Sequence, residues 1–327
     1  MILRFYELQT PPTDKKYELA SMSSGYTFHD QQIMMADLIL AALTSGEGEL
    51  YALLLAQMQS GKTGTYLRVA LEGIFLGIFE KVHIICGSRD VALREQTRGS
   101  LKVAIKSFAI DKIPTDSGAY ESLKEKLTDS IQVFWNQDLK DLVVDSKCLI
   151  INDESHVAQS KGNIPYKNFW KKSGLEKCLY GDFSPLREMD IRILSVSATS
   201  FSECVQNQKV VLGVEMETDV QLSEKNVFIM DPGPSYTGVA KFLEEGSIHF
   251  ESEPISVKTG GRHLRSILSS PKYDGKYCVV RTARADLDSA LMKGIAEEAG
   301  VIYKPVYGDK IGESLKFMSK KPNHTTL

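Results

Sequence analysis

Two clusters of residues in this chain have the types and the spacing for chemistry on a phosphate group. The first is AQMQSGKTG, residues 56–64, in which Gly61, Lys62 and Thr63 stand together. A glycine lets backbone N–H groups close around an anion, a lysine sets a point charge on the outer phosphates, and a threonine hydroxyl joins the shell of a divalent cation. The second is NDESH, residues 152–156, with Asp153 and Glu154 adjacent. Two carboxylates beside a bound phosphate divide their work: one holds Mg2+ through its water shell, the other orients or deprotonates the attacking water. Asp153 takes the first role and Glu154 the second. Gln59, Ser60, Gly61, Lys62, Thr63 and Gly64 then form a nucleotide-binding loop, Thr63 and Asp153 hold the metal, and Lys62, Asp153, Glu154 and His156 are the candidate catalytic residues.

Each cluster also has a plain structural reading. A loose GKT is common, and Ala56 stands where the usual GxxxxGK[ST] pattern begins with glycine. An acidic pair after a strand is often a solvated turn. A lone histidine is more often a packing residue, so the weight of His156 lies in its place two residues after Glu154. What decides between the readings is the set of elements that would position these residues.

Short apolar β-rich runs alternate with longer helical patterns, which is how βαβ units and a parallel sheet are written. The expected strands are YALLLA (51–56), KVHIICG (81–87), IQVFWN (131–136), KCLIIN (147–152) and IRILSVSA (191–198). The first leads into the GKT loop and the fourth into Asp153, at the carboxyl ends of strands, where open α/β sheets collect their ligands. Between the strands, 63–79 is apolar over most of a helical surface. Residues 88–108 are more amphipathic, with Arg89, Arg94, Arg98, Lys102 and Lys106 on a wet side. The fifth strand ends in Ser197, Ala198 and Thr199, hydroxyl-bearing residues at a further strand end.

The character of the chain changes at NVFIMDPGPSYTGVAKF (226–242), which holds two prolines and two glycines. The expected organisation is a first domain over 1–222, a linker or insertion over 223–270, and a second βαβ start over 271–327, with a strand at 276–283, a helix at 284–300 and a further extended run at 301–308. In YKNFWKKSGLEKCLY (166–180), Phe169, Trp170 and Leu175 read as core at helical spacing, with a base-stacking platform as the alternative.

At 327 residues, 43% hydrophobic and 25% charged, the chain can bury a real core, and a net charge of −3 excludes a polybasic nucleic-acid coat without excluding a local basic stripe. Five scattered cysteines without CxxC spacing read as buried thiols of a reducing compartment. No apolar run reaches the roughly 20 residues of a membrane span, and residues 1–20 have no secretory pattern. The expected setting is intracellular, in the cytoplasm, the nucleus or a viral replication site, without a membrane partner.

With AQMQSGKT, DESH and SAT in that order, each after an apolar strand, the chain resembles the DExH-type superfamily-two helicases and translocases. That family has tandem RecA-like domains with ATP in the cleft between them. The resemblance implies a RecA-like α/β P-loop NTPase with a parallel sheet flanked by helices, followed by a partial second RecA-like domain, and ATP and Mg2+ as cofactors. Motif I matches 56–63 and motif II Asp153, Glu154, Ser155 and His156. Motif III matches Ser197, Ala198 and Thr199; in the family its serine and threonine, with the motif II histidine, couple nucleotide state to the nucleic-acid site. IICGSRDVALREQ is similar to motif Ia, with Gly87 and Ser88 where proline and threonine are often found, which makes Arg89 and Arg94 candidate phosphate contacts. YTFHDQQIMMADLI (26–39) looks like the segment whose glutamine reads adenine, with Gln32 the choice, Gln31 the alternative, and the polar face of an amphipathic helix the structural reading.

The match covers 25–200 well and 276–327 weakly, and the family's motifs V and VI, with their arginine fingers, fall beyond Leu327. The implied function is a nucleic-acid-dependent ATPase, acting on DNA more than RNA, alone or with further motor or nuclease subunits, as in a restriction-type complex. The alternatives are a nucleotide-binding interaction module with little turnover and, more remotely, a P-loop enzyme that phosphorylates a small molecule.

Overall fold

The computed structural model describes residues 4–6, 27–44, 48–57, 60–86, 91–135, 138–155, 164–198, 210–211, 214–215, 222–232, 238, 241, 244, 262–269, 277–279, 285–300 and 302. Residues 22–236 form one compact unit, and residues 1–21 with 237–327 form another.

The larger unit holds the strands β2 (Tyr51–Ala56), β3 (Lys81–Cys86), β4 (Ile131–Trp135), β5 (Cys148–Asp153), β6 (Arg192–Ser197) and β9 (Val227–Met230), and a separate antiparallel pair, β7 (Val210–Val211) and β8 (Val214–Glu215). The first six form one sheet in the order β4-β3-β5-β6-β2-β9, with every pair of neighbours parallel. The central ones are buried along almost their whole length, as strands covered on both faces must be, and this is why they read as continuous apolar runs. From β2 the chain passes over two strand positions to lay down β3 and β4, then returns through β5 and β6. Finally it crosses β2 to add β9. The direction of winding therefore reverses around β2, and the carboxyl ends of β2, β5 and β6 lie at one edge, the usual ligand crevice of such sheets. The fold is an open, all-parallel α/β sheet covered by helices on both faces.

One face of the sheet is covered by α1 (Asp30–Thr44), α2 (Lys62–Phe75), α3 (Val91–Lys112) and α4 (Gly118–Ser130), whose Ile39, Leu67, Leu71 and Phe108 meet Leu54, Ile84, Ile151 and Val196 in a single core. Helix α2 is buried from Gly64 to Ile74, including two charges. Arg68 pairs with Glu72 at 2.7 Å, Lys112 of α3 reaches Glu72 at 3.1 Å, and the Arg68 guanidinium lies 5.5 Å from the Phe28 ring and 4.9 Å from that of Phe108. Each buried charge has a partner or an aromatic face, which is what makes its burial tolerable. The other face carries α5 (Ile164–Lys172), a 3-10 turn at Glu176–Tyr180 and the short α6 (Ser184–Glu188). Phe169, Trp170 and Leu175 are at most 1% exposed there, so they are core and not a stacking platform.

Residues 227–230, expected in the linker, form the sixth strand. Leu53 to Ala56 pair with Val227 to Met230, and the Thr65 hydroxyl donates to the Met230 sulfur at 3.0 Å. The apolar VFIM run is short, and the Pro232 that follows it ends the strand as well as it begins a linker. Residues 1–21, expected with the first domain, belong to the smaller unit, where β1 (Arg4–Tyr6) pairs antiparallel with β10 (Tyr277–Val279). A pairing between residues so far apart leaves no local trace in the sequence. The smaller unit also holds helices α7 (Arg262–Leu268) and α8 (Ala285–Glu298), bridged by a two-pronged Arg265–Glu298 ion pair. The expected helix at 284–300 is therefore present, and most of 301–308 lies outside the described residues. Among the described residues no helix is long and apolar enough to cross a membrane.

Asn152 and Ser195 are direct neighbours on β5 and β6, fully buried on the face opposite Asp153, and among the described residues neither the Asn152 amide nor the Ser195 hydroxyl has a hydrogen-bond partner. An unpaired buried polar group costs about 1–3 kcal/mol, whereas apolar groups of the same shape do not. The double variant Asn152→Leu, Ser195→Ala should be more stable by about 1 kcal/mol. A calorimetric Tm raised by about 2–4 °C is the expected result for a unit of this size, and a lowered Tm would contradict it.

Candidate nucleotide site

Strand β2 ends at Ala56, and α2 begins at Lys62 after Gly61, which has φ 97°. That left-handed geometry suits glycine, and a side chain there would meet the Gln32 amide at 2.7 Å. Among the described residues no side chain caps α2, and the N–H groups of a helix's first turn without such a cap attract anions. The loop is held from below by Gln32. Its Oε1 accepts the His29 backbone N–H at 2.9 Å, closing the amino end of α1 in the manner of a capping box, and its Nε2 donates to the Gly61 carbonyl at 2.9 Å. A Cβ on Gly64 would strike the same amide at 2.2 Å. Gly61 and Gly64 are thus small so that Gln32 can lie against the loop.

The carboxylates arrive from β5. Register sets Asp153 beside Cys86 of β3 and Val196 of β6, at the carboxyl edge. Lys62 Nζ ion-pairs with Glu154 Oε1 and lies 3.9 Å from Asp153 Oδ1. Asp153 Oδ1 accepts the Glu154 backbone N–H at 3.1 Å, while Oδ2 accepts the Tyr66 hydroxyl at 3.2 Å. Burial pushes the Asp153 carboxyl up to about 6, and the Lys62 charge opposes that rise. At neutral pH it is mostly ionised, as a metal-holding carboxylate must be. Glu154 has φ 53°, a left-handed conformation that costs a non-glycine residue about 1–2 kcal/mol and that turns its side chain onto Lys62. Cys86 beside it is a neutral thiol, pushed up to about 12 by burial and by the Asp153 charge. Cys86, Cys148 and Cys178 are buried thiols outside any disulfide.

The structure therefore brings together Gln32, Gly61, Lys62, Gly64, Asp153 and Glu154, with Thr63 in the first turn of α2. Ser60 lies in the loop, its hydroxyl donating to the Gln57 carbonyl at 2.7 Å. Ser197 is buried at the end of β6, paired in register with Leu55 just before the loop. Gln59, His156, Thr199 and Arg89 lie outside the described residues, and Arg94 is described only as backbone of α3. Tyr66 was not singled out from the sequence. In an otherwise apolar helix a tyrosine reads as core, and the signal for more is its position four residues after Lys62, one helical turn along the same face.

The donor set fits a nucleoside triphosphate with Mg2+. Mg2+ takes one or two carboxylates with substrate phosphates and keeps several waters, and Asp153 with the Thr63 hydroxyl would supply the protein's part of that shell. The first turn of α2 and Lys62 would supply the positive side.

No protein-family model matches the chain, and no curated protein matches it. Among solved structures, a mutant ATPase domain of the large terminase of Thermus phage P74-26 is similar over 62% of this chain and 81% of its own, at 12% identity and a TM-score of 0.33. The Aeropyrum pernix ORC1 protein, in a complex with DNA, is similar over 82% of this chain and 59% of its own, at 17% identity and a TM-score of 0.27. Both are loose similarities of backbone path.

Two substitutions separate the roles in the site. Lys62→Ala should weaken nucleotide binding and lower phosphate release on the order of 10²–10³-fold, since it removes a charge aimed at the reacting phosphates. Unchanged turnover would refute the phosphate-loop assignment. Glu154→Gln should keep or tighten nucleotide binding, because it frees Lys62 from its ion pair, while abolishing turnover. Equilibrium binding and phosphate release on the same preparation test both, and poor nucleotide binding by Glu154→Gln would make Glu154 a structural or metal-holding residue instead.

Proposed function

We propose that this chain is an ATP-hydrolysing motor protein acting on nucleic acid, of the DExH superfamily-two helicase or translocase type. The observation that carries it is the convergence of Lys62, Asp153 and Glu154 at one edge of a parallel sheet whose strands end, in chain order, in GKT, DESH and SAT. Lys62 binds the outer phosphates, Gln32 holds the loop from beneath, and Glu154 receives a proton from the attacking water once Lys62 has left it. Mg2+, when bound, neutralises charge on the phosphate oxygens. The Gln32 carbonyl has a second lone pair, so it can accept the adenine amine and still close α1. Ser197, with Thr199 and His156, is the proposed route from the nucleotide to the nucleic-acid face. The two units are proposed as the first motor domain and part of a second.

The nucleic-acid limb is supported by α3. Arg98, Lys102 and Lys106 recur every four residues on its exposed side, and Arg94 stands four residues before the first of them in the sequence. A row of that kind suits a phosphate backbone, and DNA is the substrate proposed. Partner subunits, as in a restriction-type machine, are compatible with this role. A nucleotide-binding module with little turnover is the alternative, favoured by the Lys62–Glu154 ion pair, which engages two catalytic groups with each other.

Steady-state phosphate release with and without single-stranded DNA discriminates the two. The motor predicts DNA-stimulated release. Exchange of Arg98, Lys102 and Lys106 for glutamate should then lower the stimulation and reduce the slope of log affinity against log salt by about 2, at about 0.7 per phosphate contact. Turnover indifferent to DNA and RNA would favour the nucleotide-binding module.

A further inference from the structure

We infer that Tyr66 is a positioning residue for the metal site, its phenol fixing the carboxylate of Asp153; this rests on Asp153 being the carboxylate that holds Mg2+. Tyr66 is fully buried in α2, four residues after Lys62, and its hydroxyl donates to Asp153 Oδ2 at 3.2 Å. Thr63, the other protein group that would share the cation, lies three residues before Tyr66 in the first turn of the same helix.

The two Asp153 oxygens are thereby made different. Oδ1 accepts the Glu154 N–H and faces Lys62, and Oδ2 is held by Tyr66. Rotation of the carboxylate would break both hydrogen bonds. A phenylalanine would fill the same apolar space beside Leu67 and Ala70, so packing alone does not call for the hydroxyl. Groups that orient a metal-holding side chain in this way typically cost about 10–100-fold in metal affinity or activity when removed.

The test is binding of a fluorescent ADP analogue, first in EDTA and then with added Mg2+, to the wild type, Tyr66→Phe, Asp153→Asn and the double variant, with Tm measured for each. Tyr66→Phe should bind the analogue in EDTA as the wild type does, keep its Tm within a few degrees, and need about tenfold more Mg2+ for half of the Mg2+-dependent gain. In the Asp153→Asn background the same substitution should add nothing, since its partner is already altered. An unchanged Mg2+ requirement in Tyr66→Phe, with a large change in Asp153→Asn, would overturn the role of Tyr66 alone. So would an equal loss from Tyr66→Phe in both backgrounds. If Asp153→Asn itself kept the wild-type Mg2+ requirement, the metal assignment of Asp153 would fall and the role of Tyr66 with it.

Discussion

The contact between Lys62 and the Asp153–Glu154 pair is the constraint on which the rest of the larger unit depends. Two adjacent carboxylates repel each other, and Asp153 is buried besides; burial, opposed by the Lys62 charge and reinforced by that of Glu154, leaves its carboxyl raised to about 6. A buried charge of this kind is tolerable only with a partner and hydrogen bonds close by. Lys62 supplies the first, and Tyr66 and the Glu154 backbone supply the second. Lys62 can reach only because β2 and β5 run parallel, with β6 between them and in register, so that the loop after one and the carboxylates after the other stand at the same level.

Helix α2 carries Lys62, Thr63 and Tyr66, and it is fastened along its length. Gln32 joins the start of α1 to the Gly61 carbonyl, while Arg68, Glu72 and Lys112 tie its middle to α3 between phenylalanine rings. The phosphate loop is thereby fixed to both α1 and α3. The exposed Arg98, Lys102 and Lys106 lie on one of those two helices, so contacts run without a break from the candidate site to the helix that carries them.

Much of this was legible in the sequence, and the exceptions have physical causes. The five strands from β2 to β6 were visible because a sheet covered on both faces demands apolar runs, and the structure brings GKT and DE together after two of them. Strand β9 was not, since VFIM is short and Asp231-Pro232 reads as the start of a linker; only pairing with β2 makes it a strand. The β1–β10 pair depends on contact between the two ends of the chain, about which local pattern is silent. Gln32 was expected at the adenine edge, and what the structure gives it is to close α1 and hold Gly61, a use that follows from three-dimensional approach to two glycines. Alternation along β5 sends Asn152 away from Asp153, and its lack of a partner among the described residues could not have been read from residue type.

The central claim is that the Lys62–Glu154 ion pair gives way to a nucleotide held by the loop. A crystal structure of the chain with Mg2+ and a non-hydrolysable ATP analogue tests it most directly. The account predicts Lys62 Nζ on the outer phosphates, Thr63 and Asp153 around the metal, Glu154 turned toward the position of the attacking water, and Gln32 still on the Gly61 carbonyl. An analogue bound elsewhere, or a bound analogue with Lys62 still paired to Glu154, would contradict it.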